Sequence, residues 1–278
     1  MGKLDGQVAL ITGGGRGQGR SHAVMLAEAG ADIAICDIDG TLDTIQYDMA
    51  AGRDLQVTAD LVRATGRKCF TATADIRRSA EVDDFVAATI AQFGRIDVLC
   101  ANAGVWAPAL LVETSDELWR DTLDTNLTGT FNTVRATAKH MVAAGRGRIV
   151  VTSSMCGRQG GMNLSAYTAT KWGVIGLVKC AAMELGEHGI TVNAVCPSFV
   201  DTPMINYDGY NRMFRPDLEN PTRETSDEVV RDQHHFLPTG SFGAAEVSKT
   251  VLFLAADADM ISGTAIDVTA GKSAMWQA

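Results

Sequence analysis

The chain has 278 residues, 46% of them hydrophobic, with 28 glycines and only 6 prolines, a composition that fits one well-filled α/β core with many tight turns. A formal net charge of −9 with no basic run excludes binding to nucleic acid or an anionic membrane through bulk electrostatics. No apolar run approaches the roughly 18 residues needed to cross a bilayer.

The opening MGKLDGQVALITGG has no basic stretch leading into an apolar one, and Gly6 stands where a myristoylation pattern has Ser or Thr, so the expectation is a cytoplasmic protein. The six cysteines, Cys36, Cys69, Cys100, Cys156, Cys180 and Cys196, show no CxxC spacing. They read as buried free thiols, and Cys156 is the one near enough to the chemistry to touch a ligand.

A predicted strand over Val8–Thr12 runs into Gly13-Gly14-Gly15-Arg16-Gly17-Gln18-Gly19, and a helix over Ser21–Ala29 follows, closed by Gly30. Glycines let backbone approach a pyrophosphate, and the helix start offers free N–H groups and partial positive charge to hold it. The spacing is TGxxxGxG rather than GxGxxG. The next predicted strand, Asp32–Cys36, stops at Asp37, an acid placed to accept hydrogen bonds from both ribose hydroxyls and to repel a 2′-phosphate. Arg16 pulls the other way, since arginine suits phosphate. Asp37 decides the balance in favour of NAD over NADP.

Leu55, Ala59, Val62 and Arg63 lie at helical spacing before Gly66, and a strand over Phe70–Ala74 ends at Asp75-Ile76, where the carboxylate can meet an adenine amino group. The 38 positions from Asp37 to Asp75 leave room for an insertion near 39–55, either a lid over the adenosine or a surface loop. A helix over Val82–Phe93 and a strand over Ile96–Ala101 lead to Asn102-Ala103-Gly104, a second small-residue turn at a strand end. Ser115 opens a capping box that position 118 leaves half-formed. Asn126 interrupts the long helical pattern Leu118–Ala143 and either kinks it and holds a water or faces solvent.

After a strand over Arg148–Thr152, Ser154 precedes Tyr167 by thirteen positions and Lys171 follows it by four. On a helix over Ala166–Leu185, positions 167 and 171 share a face. An ammonium beside a phenol lowers the phenol's pKa toward the working pH, as a general acid/base for an alcohol or carbonyl oxygen requires, and Ser154 would hold that oxygen. A strand over Ile190–Cys196 stops at Pro197, and Val200 and Thr202 then stand where a nicotinamide carboxamide can be contacted. The stretch 205–239 has no clear period and reads as a lid near 204–240, with Tyr207, Tyr210, Met213, Phe214, His234 and His235 as candidate pocket residues. No metal site is expected from His234-His235, which lack an acidic or cysteine partner at helical spacing. A helix over Ala244–Ala255 and a strand over Ile266–Val268 bring the strand count to about seven, a single-domain Rossmann-type doubly wound parallel sheet.

Together, TGxxxGxG, Asp37, Asp75, Asn102-Ala103-Gly104, Asn126, Ser154, Tyr167 and Lys171 resemble the short-chain dehydrogenase/reductase family over essentially the whole chain. The resemblance implies that Tyr167 is the proton-transferring residue, that Lys171 lowers its pKa and binds the nicotinamide ribose, that Ser154 orients the substrate oxygen, and that Asn126 holds a relay water. Ser198, where the family usually has glycine, is a departure that leaves the path of the nicotinamide loop open. The run from Gly15 to Ala23 and the insertion beginning Cys36-Asp37-Ile38-Asp39 are similar to the carveol dehydrogenase-like, mycofactocin-associated subgroup. That similarity implies a tightly held NAD, a hydrophobic alcohol or ketone as substrate, and a peptide-derived electron carrier as partner. An ordinary ketoreductase with freely exchanging NAD(P)H and a non-catalytic NAD sensor are the rival readings. The family resemblance also implies a homotetramer built on the two long helices, with Trp172, Val174, Ile175, Leu177 and Val178 supplying more apolar surface than one buried face needs.

Overall fold

The computed structural model describes residues 2–276. Seven parallel strands form one sheet in the order β3-β2-β1-β4-β5-β6-β9. They are β1 (Val8–Thr12), β2 (Asp32–Asp37), β3 (Cys69–Thr73), β4 (Val98–Ala101), β5 (Gly147–Thr152), β6 (Ile190–Pro197) and β9 (Ala265–Val268). A two-stranded ribbon, β7 (Val200–Asp201) with β8 (Phe242–Gly243), lies beyond β6 and is absent from the sequence expectation. Helices α1 (Gly17–Glu28), α2 (Gly52–Ala64) and α9 (Ala244–Ala256) pack on one face; α3 (Ser79–Phe93), α5 (Thr130–Ala144) and α6 (Ser165–Leu185) pack on the other.

Strands covered on both faces are apolar throughout, and alternation sends successive side chains to opposite cores. Ala9 and Ile11 of β1 join the core under α1 and α9, whereas Leu10 joins the core under α3, α5 and α6. Ile33 and Ile35 divide from Ala34 and Cys36 in the same way on β2. Each fully buried leucine or isoleucine among them contributes about 1.5–3 kcal/mol. The expectation of buried thiols is met at Cys36, Cys100, Cys156 and Cys196 but not at exposed Cys180 or half-buried Cys69.

The helix expected over Leu118–Ala143 is α4 (Asp116–Leu123), a π turn at Asp124–Gly129, and α5. Ser115 Oγ accepts from Leu118 N at 3.1 Å, giving the capping half that the sequence contains. The region expected to be irregular, 205–239, contains α7 (Asp208–Phe214) and α8 (Arg223–Val229), the latter extended by a π turn through His234. These helices are two turns each, too short for their apolar period to stand out in the sequence.

Strand order reverses between β1 and β4, so the loops after them face one another across a crevice at the carboxyl end of the sheet.

Candidate active site

A cavity of about 520 Å³ opens at that crevice and is lined by both small-residue turns, Asp37, Asp75, Ile76, Ser154, Tyr167, Lys171, Pro197, Val200 and Thr202. The glycine turn is a close-approach site. Gly13 has φ +67°, and a Cβ there would stand 2.8 Å from Ala103 Cα; one on Gly19 would stand 2.0 Å from the Gly13 carbonyl oxygen. Gln18 Oε1 is buried with no hydrogen-bond partner among the described residues. A backbone-lined hollow with an orphaned side-chain acceptor and a helix start fits a dinucleotide's pyrophosphate and ribose hydroxyls.

Asp37 Oδ2 accepts from Gly15 N and Oδ1 from Ile38 N, each at 2.9 Å, which fixes the carboxylate at the tip of β2. Burial raises its pKa, and these bonds and Arg16 oppose the rise. Arg16 turns toward the inserted loop, donating to the Asp48 carbonyl and standing 6.0 Å over the Tyr47 ring. Burial of Asp75 works toward protonation, but the forked guanidinium of Arg77, 2.6–3.0 Å from both carboxylate oxygens, holds it below its ordinary value. An adenine amino group would therefore share that carboxylate with Arg77.

Thr12, which the sequence reading passed over, ties the two turns together. Its Oγ1 accepts from Asn102 N at 3.2 Å and Ala103 N at 3.3 Å, and its carbonyl accepts from Asn102 Nδ2 at 3.1 Å.

The π turn sends Asn126 inward, and the residue is fully buried rather than solvent-facing. Its Oδ1 accepts from Val105 N at 2.7 Å and its Nδ2 donates to Val105 O at 2.9 Å. One side chain thus closes both backbone groups of the loop that carries Gly104. A Cβ on Gly104 would lie 3.1 Å from Asn126 Oδ1 and 3.6 Å from Lys171 Nζ, so both groups converge beneath that turn.

Lys171 is 4% exposed and donates from Nζ to Thr152 O at 2.8 Å. Burial lowers its pKa to about 8. Nζ stands 5.4 Å from the Tyr167 ring centroid. Tyr167 departs from the expectation of a lowered pKa: its apolar recess pushes the phenol upward, the neighbouring Cys156 adds to this, and the Ser154 hydroxyl opposes it. The ammonium sits over the ring rather than against the hydroxyl, so its influence does not overcome desolvation. Ser154 Oγ accepts from Cys156 N at 3.1 Å, which orients the hydroxyl at the start of a tight turn. Cys156 is itself buried and lines the cavity, its thiol pushed up by burial.

Beside this group, Trp106, Met155, Cys156, Leu164, Ile205 and Tyr210 form an apolar recess. Of the six candidate lid residues, Tyr210, Met213, Phe214 and His234 line the cavity. Tyr207 instead packs against Tyr47 and Trp106, at ring distances of 5.7 and 6.1 Å. His235 turns away and bonds Ser198. Among the described residues, no group of three or more His, Cys, Asp or Glu side chains could hold a metal. From the insertion, Leu42, Tyr47, Met49 and Ala50 also reach the cavity, and Tyr47 OH accepts from Trp106 N at 3.2 Å.

The profile of the family described as short chain dehydrogenase matches residues 7–211. The (−)-trans-carveol dehydrogenase of Rhodococcus erythropolis is 42% identical over 98% of this chain and 99% of its own length. The fold is similar to a carveol dehydrogenase from Mycobacterium avium in complex with NAD (TM-score 0.96, 43% identity, covering 98% of this chain and 99% of that one). It is also similar to levodione reductase (TM-score 0.87, 32% identity, covering 98% and 100%). The chain belongs to the short-chain dehydrogenase family.

Proposed function

We propose that the protein is an NAD-dependent oxidoreductase acting on a hydrophobic secondary alcohol or its ketone, of the terpenoid, carveol-like kind, with Tyr167 as the acid/base. The observation that carries this reading is that Ser154, Tyr167 and Lys171 line the same cavity as the glycine turn and Asp37. Bound NAD would supply the redox chemistry as hydride acceptor.

The chain's own residues handle position and proton. Ser154 holds the substrate oxygen, and Tyr167 takes the hydroxyl proton as the carbonyl forms. Lys171 places positive charge beside the phenol and binds the nicotinamide ribose. Asn126, tied to Val105, holds the loop against which a relay water sits. Gly13, Arg16, Gly17, Gln18 and Gly19 cradle the pyrophosphate, Asp37 the adenosine ribose, Asp75 and Ile76 the adenine. Asn102, Ala103 and Gly104, with Pro197, Val200 and Thr202, flank the nicotinamide. The apolar recess of Trp106, Met155, Leu164 and Tyr210 fits a ring-sized hydrocarbon body and excludes water from the proton transfer.

The insertion at 39–55 acts as a cover over the cofactor and the segment 204–240 as a substrate lid. Tyr47 supports the first role by bonding Trp106 and packing on Tyr207. Such a cover slows cofactor departure, which is the basis for proposing tightly held NAD recycled by a peptide-derived carrier such as mycofactocin. Exposed Trp172 and Met183 on α6, with Trp119 on α4 and Phe131 on α5, support assembly as a homotetramer through those helices. No described helix is long and apolar enough to cross a membrane, and the free cysteines suit the reducing cytoplasm, where the enzyme is proposed to work.

The test begins with protein purified without added cofactor: denature it and quantify released dinucleotide, then assay carveol oxidation with free NAD and with an artificial electron acceptor. About one NAD per chain and turnover that depends on the acceptor are expected. Reversible binding with many turnovers on free NAD or NADP would favour the ordinary ketoreductase, and NAD binding with no turnover in either assay would favour the sensor.

A further inference from the structure

His234 and His235 are neighbours in sequence, yet they point to different chemistry. His235 bonds the nicotinamide loop, while His234 reaches the substrate end of the cavity, where its ring meets Phe199 and Phe214 edge-on at 5.4 and 5.7 Å. Its Nδ1 lies 3.1 Å from Lys272 Nζ. An ammonium has three donors and no acceptor, so Nδ1 must accept and the ring proton must sit on Nε2. The ring's one hydrogen bond among the described residues is this one, which leaves Nε2–H open to the cavity's contents or to water.

Lys272 is equally unusual. It is 9% exposed, and among the described residues its ammonium is paired with the His234 ring rather than with a carboxylate. A buried cation without a counter-ion is costly unless something compensates it. Its position is nonetheless built in. Ala270 adopts φ +49°, and its carbonyl accepts from both Phe236 N and Leu237 N at 2.9 Å, stitching the chain just before Lys272 onto the lid just after His234. The ammonium polarises the imidazole and strengthens Nε2–H as a donor on a residue that lines the cavity.

We propose that the substrate carries a second oxygen function, a carboxylate or carbonyl, at the end remote from the reacting hydroxyl, and that His234 Nε2–H, backed by Lys272, binds it. This rests on the function proposed above, since it takes Ser154 and Tyr167 as the reacting end. A plain hydrocarbon alcohol would fill the recess but offer no partner to this donor or to the charge behind it. An oxygenated one would satisfy both.

The probes are cyclohexanol, 4-hydroxycyclohexanecarboxylate and its methyl ester, with the corresponding decalin alcohols as longer versions. The wild-type protein is expected to show a KM at least about tenfold lower for the carboxylate or ester than for the unsubstituted alcohol at one of the two lengths, the scale of one charge-assisted hydrogen bond. In His234→Phe and Lys272→Met that advantage should collapse. Thermal stabilisation by the carboxylate probes provides a readout independent of turnover: it is expected in the wild type and lost in His234→Phe. Equal KM values at both lengths, or discrimination and stabilisation that survive His234→Phe, would overturn the proposal. Stabilisation lost in His234→Phe without turnover of any alcohol would support this site while overturning the proposed reaction.

Discussion

Ser198 Oγ and His235 Nε2 are 2.8 Å apart, joining the loop after β6 to the residue that follows the π turn of α8. His235 Nδ1 faces the carbonyls of Thr239 and Gly240 at 3.1 and 3.0 Å, so Nδ1 carries the proton, and Nε2 accepts from the serine hydroxyl. Ser198 thus holds a hydroxyl with a dedicated partner in the segment after α8.

Breaking that link should loosen both loops together. His235→Phe removes the acceptor and keeps a ring against Phe199 and Phe242. The variant loses the Ser198 bond and the Nδ1–H bond to the Thr239 and Gly240 carbonyls, each worth about 0.5–1.5 kcal/mol, and is expected to raise the KM for the alcohol several-fold with a smaller effect on kcat. Ser198→Gly removes only the shared bond and should have the smaller effect, and the double variant should add little beyond His235→Phe alone. Steady-state kinetics on the three variants check this; fully additive effects would show that the two residues act separately.

Acid should destabilise the fold through its neutral histidines. Burial lowers the pKa of His22 to about 3 and, aided by Lys272, that of His234 to about 4; burial also lowers that of His235, against the pull of its carbonyl partners. Because the folded values lie below the ordinary 6.5, the unfolded chain binds more protons in the window between them. Stability is therefore full above about pH 6.5 and falls as pH drops toward 4, by up to about 1.4 kcal/mol per pH unit for the fully buried His22. Urea midpoints across this range would measure the slope, and a flat profile would contradict it.

Asn126→Ala leaves the N–H and C=O of Val105 without their partner. A cost of about 1–3 kcal/mol follows, with a loss of activity from the displaced Gly104 turn. Asn126→Asp keeps an acceptor for Val105 N but no donor for its carbonyl, and should lie between wild type and Asn126→Ala in melting temperature.

Asp37→Ala should erode the preference for NAD over NADP by at least about tenfold, read as the ratio of the two kcat/KM values or of the two dissociation constants. The carboxylate's bonds to Gly15 and Ile38 mean that NAD binding also weakens. A preference unchanged in this variant would place cofactor selection on Arg16.

The sheet is legible in the sequence because each strand is a short apolar run ending in a turn signal: Val8–Thr12 before the glycines, Ile190–Pro197 at its proline. Tyr167 and Lys171 are legible because helical spacing alone puts them on one face. What escapes is chemistry that depends on contacts distant in sequence. Thr12 looks like the last residue of a strand until Asn102 and Ala103 are seen donating to it. The opposite duties of His234 and His235 arise from Lys272 and Ser198, each more than 30 positions away. The raised pKa of Tyr167 reflects the apolar recess around it, which no spacing between Tyr and Lys encodes.

Tyr167→Phe tests the proton-transfer assignment most directly. The substitution removes one oxygen and leaves the ring beneath the Lys171 ammonium. NAD content and melting temperature should stay close to wild type while alcohol oxidation falls by at least about 10²-fold, the usual scale for a general acid/base. Near-full turnover in this variant would contradict the assignment and require another group to take the proton.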